Sequence, residues 1–110
     1  MTDGPERITG PLLAVLAALL GADDWEMHGW AIMKQTGKSG PTIYKILERL
    51  TDAKWLTWRW EDAATADPAK PRRRYYKLTP HGAENARAIL AKQQQKQAAP
   101  RFRLAFGWDA

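Results

Sequence analysis

The hydrophobic period of this 110-residue chain changes twice, and the order of the changes is the tightest constraint on its fold. Three segments of helical period come first. After Thr9, a suitable N-cap, and Pro11 in a first turn, Leu12, Leu13, Leu16, Leu19 and Leu20 recur at helical spacing up to Gly21. A second, shorter helix is predicted over residues 26–36, with Met27, Trp30 and Met33 on its buried side and Gly37 as its stop. The third is the most regular. Ser39 can cap it, Pro41 suits an early position, and Ile43, Ile46, Leu47 and Leu50 fall at i, i+3, i+4 and i+7. At about 100° per residue, Thr42, Lys45 and Arg49 project from the opposite side, with Tyr44 on a flank.

The period then falls to two. Leu56, Trp58 and Trp60 alternate with Thr57, Arg59 and Glu61, which predicts a half-buried strand. Residues 62–71 carry no large apolar side chain and read as a flexible loop. Alternation resumes over residues 72–78, with Tyr76 and Leu78 on one face and Arg74 turned toward that side. Two such runs predict an antiparallel hairpin with a long, mobile tip. Thr79-Pro80 is a cap followed by a first-position proline, so a last helix begins there. It is expected to run through Ala83, Ala86, Ile89 and Leu90 to about residue 98, before Pro100, a length of roughly 28 Å at ~1.5 Å per residue. The predicted fold is mainly α with a β-hairpin: a winged helix-turn-helix of three helices and a two-stranded wing over residues 8–79, then one C-terminal helix and tail over residues 80–110. In that arrangement the third helix enters the DNA major groove and the wing reaches phosphates or the minor groove.

Composition narrows the chemistry. There are no cysteines, which excludes a disulfide framework, a thiolate nucleophile and Cys-ligated metals. His28 and His81 make no metal site between them, and no phosphate loop, dinucleotide fingerprint or catalytic triad is visible, so neither an enzyme nor a bound cofactor or metal is expected. No apolar run approaches the roughly 20 residues that span a bilayer, and the N-terminus lacks a signal peptide's basic start. A soluble cytoplasmic protein associated with the nucleoid is the expectation.

The net charge of +5 is unevenly distributed. Residues 1–68 hold seven basic and ten acidic side chains, whereas residues 69–103 hold ten basic ones against Glu84 alone. Phosphate neutralisation is the functional reading of such a segment; a solvated basic face is the plain one. Likewise the strip Thr42, Lys45, Arg49 fits either groove contact or simple solvation, and Arg72, Arg73 and Arg74 fit either phosphate contact or a charged edge that discourages aggregation. Trp25, Trp30, Trp55, Trp58 and Trp60 fit core packing better than an aromatic effector pocket. Phe102, Leu104, Phe106 and Trp108 form a separate apolar patch, expected to dock on the domain or on a second copy.

The runs His28-Gly29-Trp30-Ala31-Ile32, Ser39-Gly40-Pro41-Thr42-Ile43-Tyr44 and Leu47-Glu48-Arg49-Leu50, with Arg72-Arg73-Arg74-Tyr75-Tyr76-Lys77-Leu78-Thr79-Pro80, resemble the PadR family of bacterial transcriptional regulators over about residues 8–90. The resemblance implies a homodimeric winged-helix repressor of double-stranded DNA, with the last helix building the dimer. It maps recognition-helix contacts onto Ser39, Thr42 and Tyr44 and wing contacts onto Arg72, Arg73 and Arg74. With the surrounding residues, the expected DNA-contact set is Lys38, Ser39, Gly40, Thr42, Tyr44, Lys45, Arg49, Lys70, Arg72, Arg73 and Arg74. The expected dimer interface is Ala83, Ala86, Ile89, Leu90, Phe102, Leu104, Phe106 and Trp108. Three residues depart from the family pattern: Lys45 stands where proline is frequent, His81 where glutamate is frequent, and Lys54 where glycine is usual, so the turn before Trp55 is expected to take another conformation. Two alternatives remain open: a winged-helix protein-interaction module, and a repressor that senses a small aromatic effector.

Overall fold

The computed structural model describes residues 7–106, with side chains through residue 95. Helix α1 (Gly10–Gly21) begins where Thr9 Oγ1 accepts the Leu12 N–H at 3.3 Å, satisfying a donor that any helix N-terminus leaves over. A 3-10 turn (Asp23–Trp25), strand β1 (Glu26–His28) and helix α2 (Gly29–Thr36) follow. Gly37 stops α2 with φ 73°, a left-handed conformation that costs glycine nothing. Helix α3 (Gly40–Asp52) buries Ile43, Ile46, Leu47 and Leu50, the stripe its spacing predicts.

The end of α3 departs from expectation. Trp55 N–H donates to Leu50 O and Lys54 N–H to Thr51 O, both at 3.0 Å, which is a Schellman closure. Lys54 occupies its left-handed position with φ 68°, so the lysine adopts the glycine conformation instead of avoiding it. The turn is held from both sides. Leu50 and Trp55 are buried in the core, and Lys54 O accepts the Thr79 hydroxyl at 2.9 Å.

Strands β2 (Leu56–Trp60) and β3 (Arg74–Leu78) pair antiparallel, and β1 lies on the other edge of β3, giving the order β1-β3-β2. The wing is therefore part of a three-stranded sheet, not a two-stranded hairpin alone. Residues 26–28, predicted as the first turn of α2, pair with β3 as a strand instead, and α2 starts after them, where His28 Nδ1 accepts the Ala31 N–H at 3.2 Å. Met27 reaches the core from its pairing with Tyr76, and the side chain that α2 buries fully is Ile32, not Trp30.

Helix α4 (Pro80–Phe106) starts with Thr79 Oγ1 accepting the Gly82 N–H at 2.9 Å and stays helical through Pro100, beyond the predicted end near residue 98. It packs on α1, which also contacts α2 and α3. Ala83 and Ala86 are wholly buried in the same core as Leu16 and Leu78, and Ile89 and Leu90 pack against that core. Of the residues expected at a dimer interface, Ala83 and Ala86 are thus buried within the chain's own core. The side chains of Phe102, Leu104 and Phe106, and all of Trp108, lie outside the described residues.

Candidate nucleic-acid interface

The solvent side of α3 divides into two strips. Thr42, Lys45 and Arg49 are exposed along one, as their spacing predicts. Ser39 occupies the N-cap position, but its hydroxyl donates to Thr42 Oγ1 at 3.1 Å instead of capping the backbone. Lys38 is exposed beside it, while Gly40 is half-buried against Met33. The other strip carries Tyr44, Glu48 and Asp52, which line a cleft together with Trp58, Arg74 and Tyr76 of the sheet.

At the base of the wing, Glu61 N–H donates to Arg73 O at 2.7 Å and Arg73 N–H donates to Glu61 Oε1 at 3.0 Å, adding a rung beyond β2 and β3. Arg72 Nη2 donates to Glu61 O at 3.0 Å. The loop predicted to be flexible is folded into successive turns: Asp62 Oδ1 accepts the Ala64 N–H at 3.0 Å, and Asp67 Oδ1 accepts the Ala69 N–H at 2.9 Å. Lys70, Arg72, Arg73 and Arg74 are all exposed.

Arg74 shares a sheet face with Tyr76, as alternation predicts. Its Nη1 lies 3.4 Å from the Tyr76 hydroxyl, and its guanidinium carbon lies 4.3 Å from the Trp58 ring centre and 5.3 Å from that of Trp60. Burial pushes the Tyr76 phenol pKa up, with Arg74 opposing. The expectation that the tryptophans fill the core fails for three of them. Trp30 is 56%, Trp58 43% and Trp60 50% exposed, whereas Trp55 is buried and Trp25 half-buried. The register explains the strand pair. Leu56 opposes Leu78, Trp58 opposes Tyr76 and Trp60 opposes Arg74, so the face leaves the helical layer as it runs outward. Leu56 and Leu78 are buried at the inner end, and Trp60 and Arg74 are exposed at the outer end.

The other face of the sheet is tied by a two-bond fork, Arg59 Nε to Glu26 Oε2 at 2.9 Å and Arg59 Nη2 to Glu26 Oε1 at 3.0 Å. Lys77 pairs with Asp24 at 2.9 Å. His28 stacks near Trp30 and meets the edge of Tyr75. Its pKa lies below the ordinary 6.5, chiefly because burial disfavours the charged ring and secondly because Arg73 is near, with Glu61 opposing.

His28, Trp30, Tyr44, Trp60 and the arginine run Arg72, Arg73 and Arg74 surround a second groove of about 680 Å³ between α2, α3 and the wing. Gly29 leaves room for the Tyr44 ring beside it: a Cβ there would stand 2.8 Å from Tyr44 Cζ. The structure thus brings Tyr44 together with the wing basic residues, while Thr42, Lys45 and Arg49 lie on the separate strip. Sequence reasoning missed His28, Trp30, Trp58 and Trp60 as site residues; the approach of the Leu56-Trp58-Trp60 alternation to a basic segment was the available signal. Among the described residues, no helix is long and apolar enough to cross a membrane and no cluster of three or more His, Asp or Glu could hold a metal ion.

The Transcriptional regulator PadR-like family matches residues 15–88. The chain belongs to that family. Membership makes it a DNA-binding transcriptional regulator of the winged-helix type. Three solved structures are similar to it. Bacillus subtilis PadR in complex with operator DNA is 24% identical, with a TM-score of 0.61 over 78% of this chain and 48% of that one. A PadR family regulator from Clostridium difficile R20291 is 19% identical, with a TM-score of 0.65 over 84% and 98%. Bordetella bronchiseptica BpsR, whose DNA binding is regulated by 6-hydroxynicotinic acid, is 25% identical, with a TM-score of 0.65 over 86% and 67%. Comparison with curated proteins gave no match.

Proposed function

We propose that this PadR-like protein is a cytoplasmic, homodimeric repressor that reads duplex DNA with α3 and grips its backbone with the wing. The observation that carries the reading is the exposed strip of Thr42, Lys45 and Arg49 on α3, alongside a wing strand whose Arg72, Arg73 and Arg74 are all exposed. A major groove about 12 Å wide admits such a helix, and Lys and Arg supply base-edge and phosphate donors. Lys38, Ser39 and Lys70 would contact phosphate. With Ala83 and Ala86 committed to the protomer core, the dimer would form through the part of α4 beyond Leu90. A dimer sets two half-sites about one DNA turn apart, and occupancy of a promoter then suffices for repression.

Selection of bound duplexes from a random pool, followed by anisotropy titrations, tests the reading. Thr42→Ala with Lys45→Ala should relax sequence preference. Arg72→Ala with Arg73→Ala should weaken all duplexes alike, each lost phosphate contact lowering the salt slope by about 1. Unchanged binding in both variants would refute the model. Light scattering on the full chain should give twice the monomer mass; a monomer at every concentration removes the dimer. The exposed tryptophans favour a second reading, in which a small aromatic effector modulates DNA binding, as 6-hydroxynicotinic acid does for BpsR.

A further inference from the structure

We propose that Trp58 and Trp60 are positioning residues for DNA binding: their rings hold the Arg74 guanidinium between the wing and α3, where it meets a phosphate of the duplex. The inference rests on the DNA-binding reading above. Both rings are exposed, so the core does not explain them. What they share is Arg74. Its guanidinium carbon lies 4.3 Å from the Trp58 ring centre, 5.3 Å from that of Trp60 and 5.9 Å from that of Tyr76, and its Nη1 lies 3.4 Å from the Tyr76 hydroxyl. The two indoles meet edge to face at 5.9 Å, which steadies each against the other. The register shows which way the arginine turns. Trp60 is its direct cross-strand partner, and Trp58, opposite Tyr76, is the diagonal one. The guanidinium lies closer to the diagonal ring, so the side chain folds inward along β3 instead of reaching out from the wing. There it lines one cleft with Tyr44 of α3.

The aromatic cage leaves the arginine able to bind. A guanidinium over a ring uses its face, so its in-plane N–H donors stay available to an acceptor. Among the described residues no carboxylate pairs with Arg74. Glu48 and Asp52 line the same cleft, but the ion pairs formed join Arg59 to Glu26 and Lys77 to Asp24. Arg72, by contrast, spends Nη2 on Glu61 O at 3.0 Å. With α3 in the major groove and the wing on the backbone, the cleft between them faces the sugar-phosphate strand that separates the two contacts. A charge held there meets phosphate. A free arginine loses rotamer freedom when it takes up such a contact, and one already held by rings has less to lose. The rings therefore add affinity without adding charge, which separates their role from that of the arginine itself.

The experiment is an anisotropy titration of the full chain, across a salt series, on one duplex taken from the random-pool selection. Arg74→Gln should weaken binding and lower the salt slope by about 1. Trp58→Leu with Trp60→Leu keeps every charge, so it should weaken the same duplex by about tenfold at an unchanged salt slope. Trp58→Tyr with Trp60→Tyr restores the ring faces and should stay within about twofold of the parent. In the Arg74→Gln background the leucine pair should cost less than about twofold, because the group it positions is gone. An undiminished loss in that background means that the rings touch DNA or shape the wing by themselves, and it overturns the proposal. So does parent-like binding by the leucine pair, and so does an Arg74→Gln variant with unchanged affinity and salt slope. Thermal melts confirm that the variants fold. A DNA-free measurement tests the cage directly: in NMR spectra of the chain alone, ring currents should move the Arg74 Cδ protons upfield, and Trp58→Leu should cancel most of that shift. Unshifted protons in the parent refute the cage. Failure of the parent to bind any duplex refutes the DNA-binding reading, and the positioning role with it, while the NMR shift still decides the cage.

Discussion

Replacing Lys54 with glycine should make the protein more stable, although it deletes a whole side chain. Lys54 sits at φ 68°. A residue with a Cβ incurs roughly 1–2 kcal/mol in that region, where glycine incurs none. Two smaller effects oppose the gain. Glycine has more freedom to lose from the unfolded chain, about 0.4–1 kcal/mol, and the lysine charge near the C-terminal end of α3 contributes about 0.3 kcal/mol at an exposed site. The bonds that close the turn, Trp55 N–H to Leu50 O and Lys54 N–H to Thr51 O, are backbone and survive the change. The Thr79 hydroxyl likewise donates to a backbone oxygen, so its 2.9 Å bond also survives. The net expectation for Lys54→Gly is about 0.5 kcal/mol of added stability, or about 2 °C in Tm. Lys54→Ala keeps the Cβ and loses the charge, so it should fall at or below the parent, with the two variants separated by about 1 kcal/mol. Urea unfolding read by tryptophan fluorescence, at one fixed protein concentration because a dimer's midpoint moves with concentration, measures all three. If the glycine and alanine variants are equal, left-handed strain at residue 54 does not contribute and the argument fails.

Two further outcomes follow from the caps and close approaches. Folding lowers the pKa of His28, so the unfolded chain binds that proton more readily; stability should be complete above about pH 6.5 and decline as pH falls through the folded-state value. Protonation also removes the Nδ1 acceptor that caps α2, so His28→Asn, a good cap that does not titrate, should flatten thermal stability between pH 7 and pH 5; an unaltered slope would assign the dependence elsewhere. Gly82→Ala places a Cβ 2.8 Å from Trp55 Cα, against backbone that cannot swing aside, and should cost about 1–3 kcal/mol in chemical unfolding. A neutral result would mean that α4 is free to shift away from the turn at Trp55.

Much of the architecture was legible because each cue is local. Thr9 and Thr79 cap α1 and α4, Gly37 ends α2, and the Ile43-Ile46-Leu47-Leu50 stripe is the buried face of α3, since a hydroxyl, a missing Cβ or a repeat of 3.6 residues acts within one turn. Thr42, Lys45 and Arg49 followed as the complement of that stripe. The cues gave out where neighbours decide. Residues 26–28 are too short for a period to declare itself, and only pairing with β3 makes them a strand.

Alternation sorted Trp58, Trp60 and Tyr76 onto one face. It carries no information on whether a second layer covers that face, and at Trp60 none does. Helical spacing put Ala83 and Ala86 on an apolar side, but whether a partner or α1 occupies that side depends on how the helices pack. Sequence alone, through local sterics and hydrogen bonding, determined the order of the four helices and of β2 and β3, the caps at Thr9 and Thr79, and the two faces of α3. Tertiary packing decided which apolar side chains are consumed in the core and which, like the aromatic walls beside Arg73 and Arg74, are left for something else to cover, because burial is a property of the surface that arrives and not of the residue that waits.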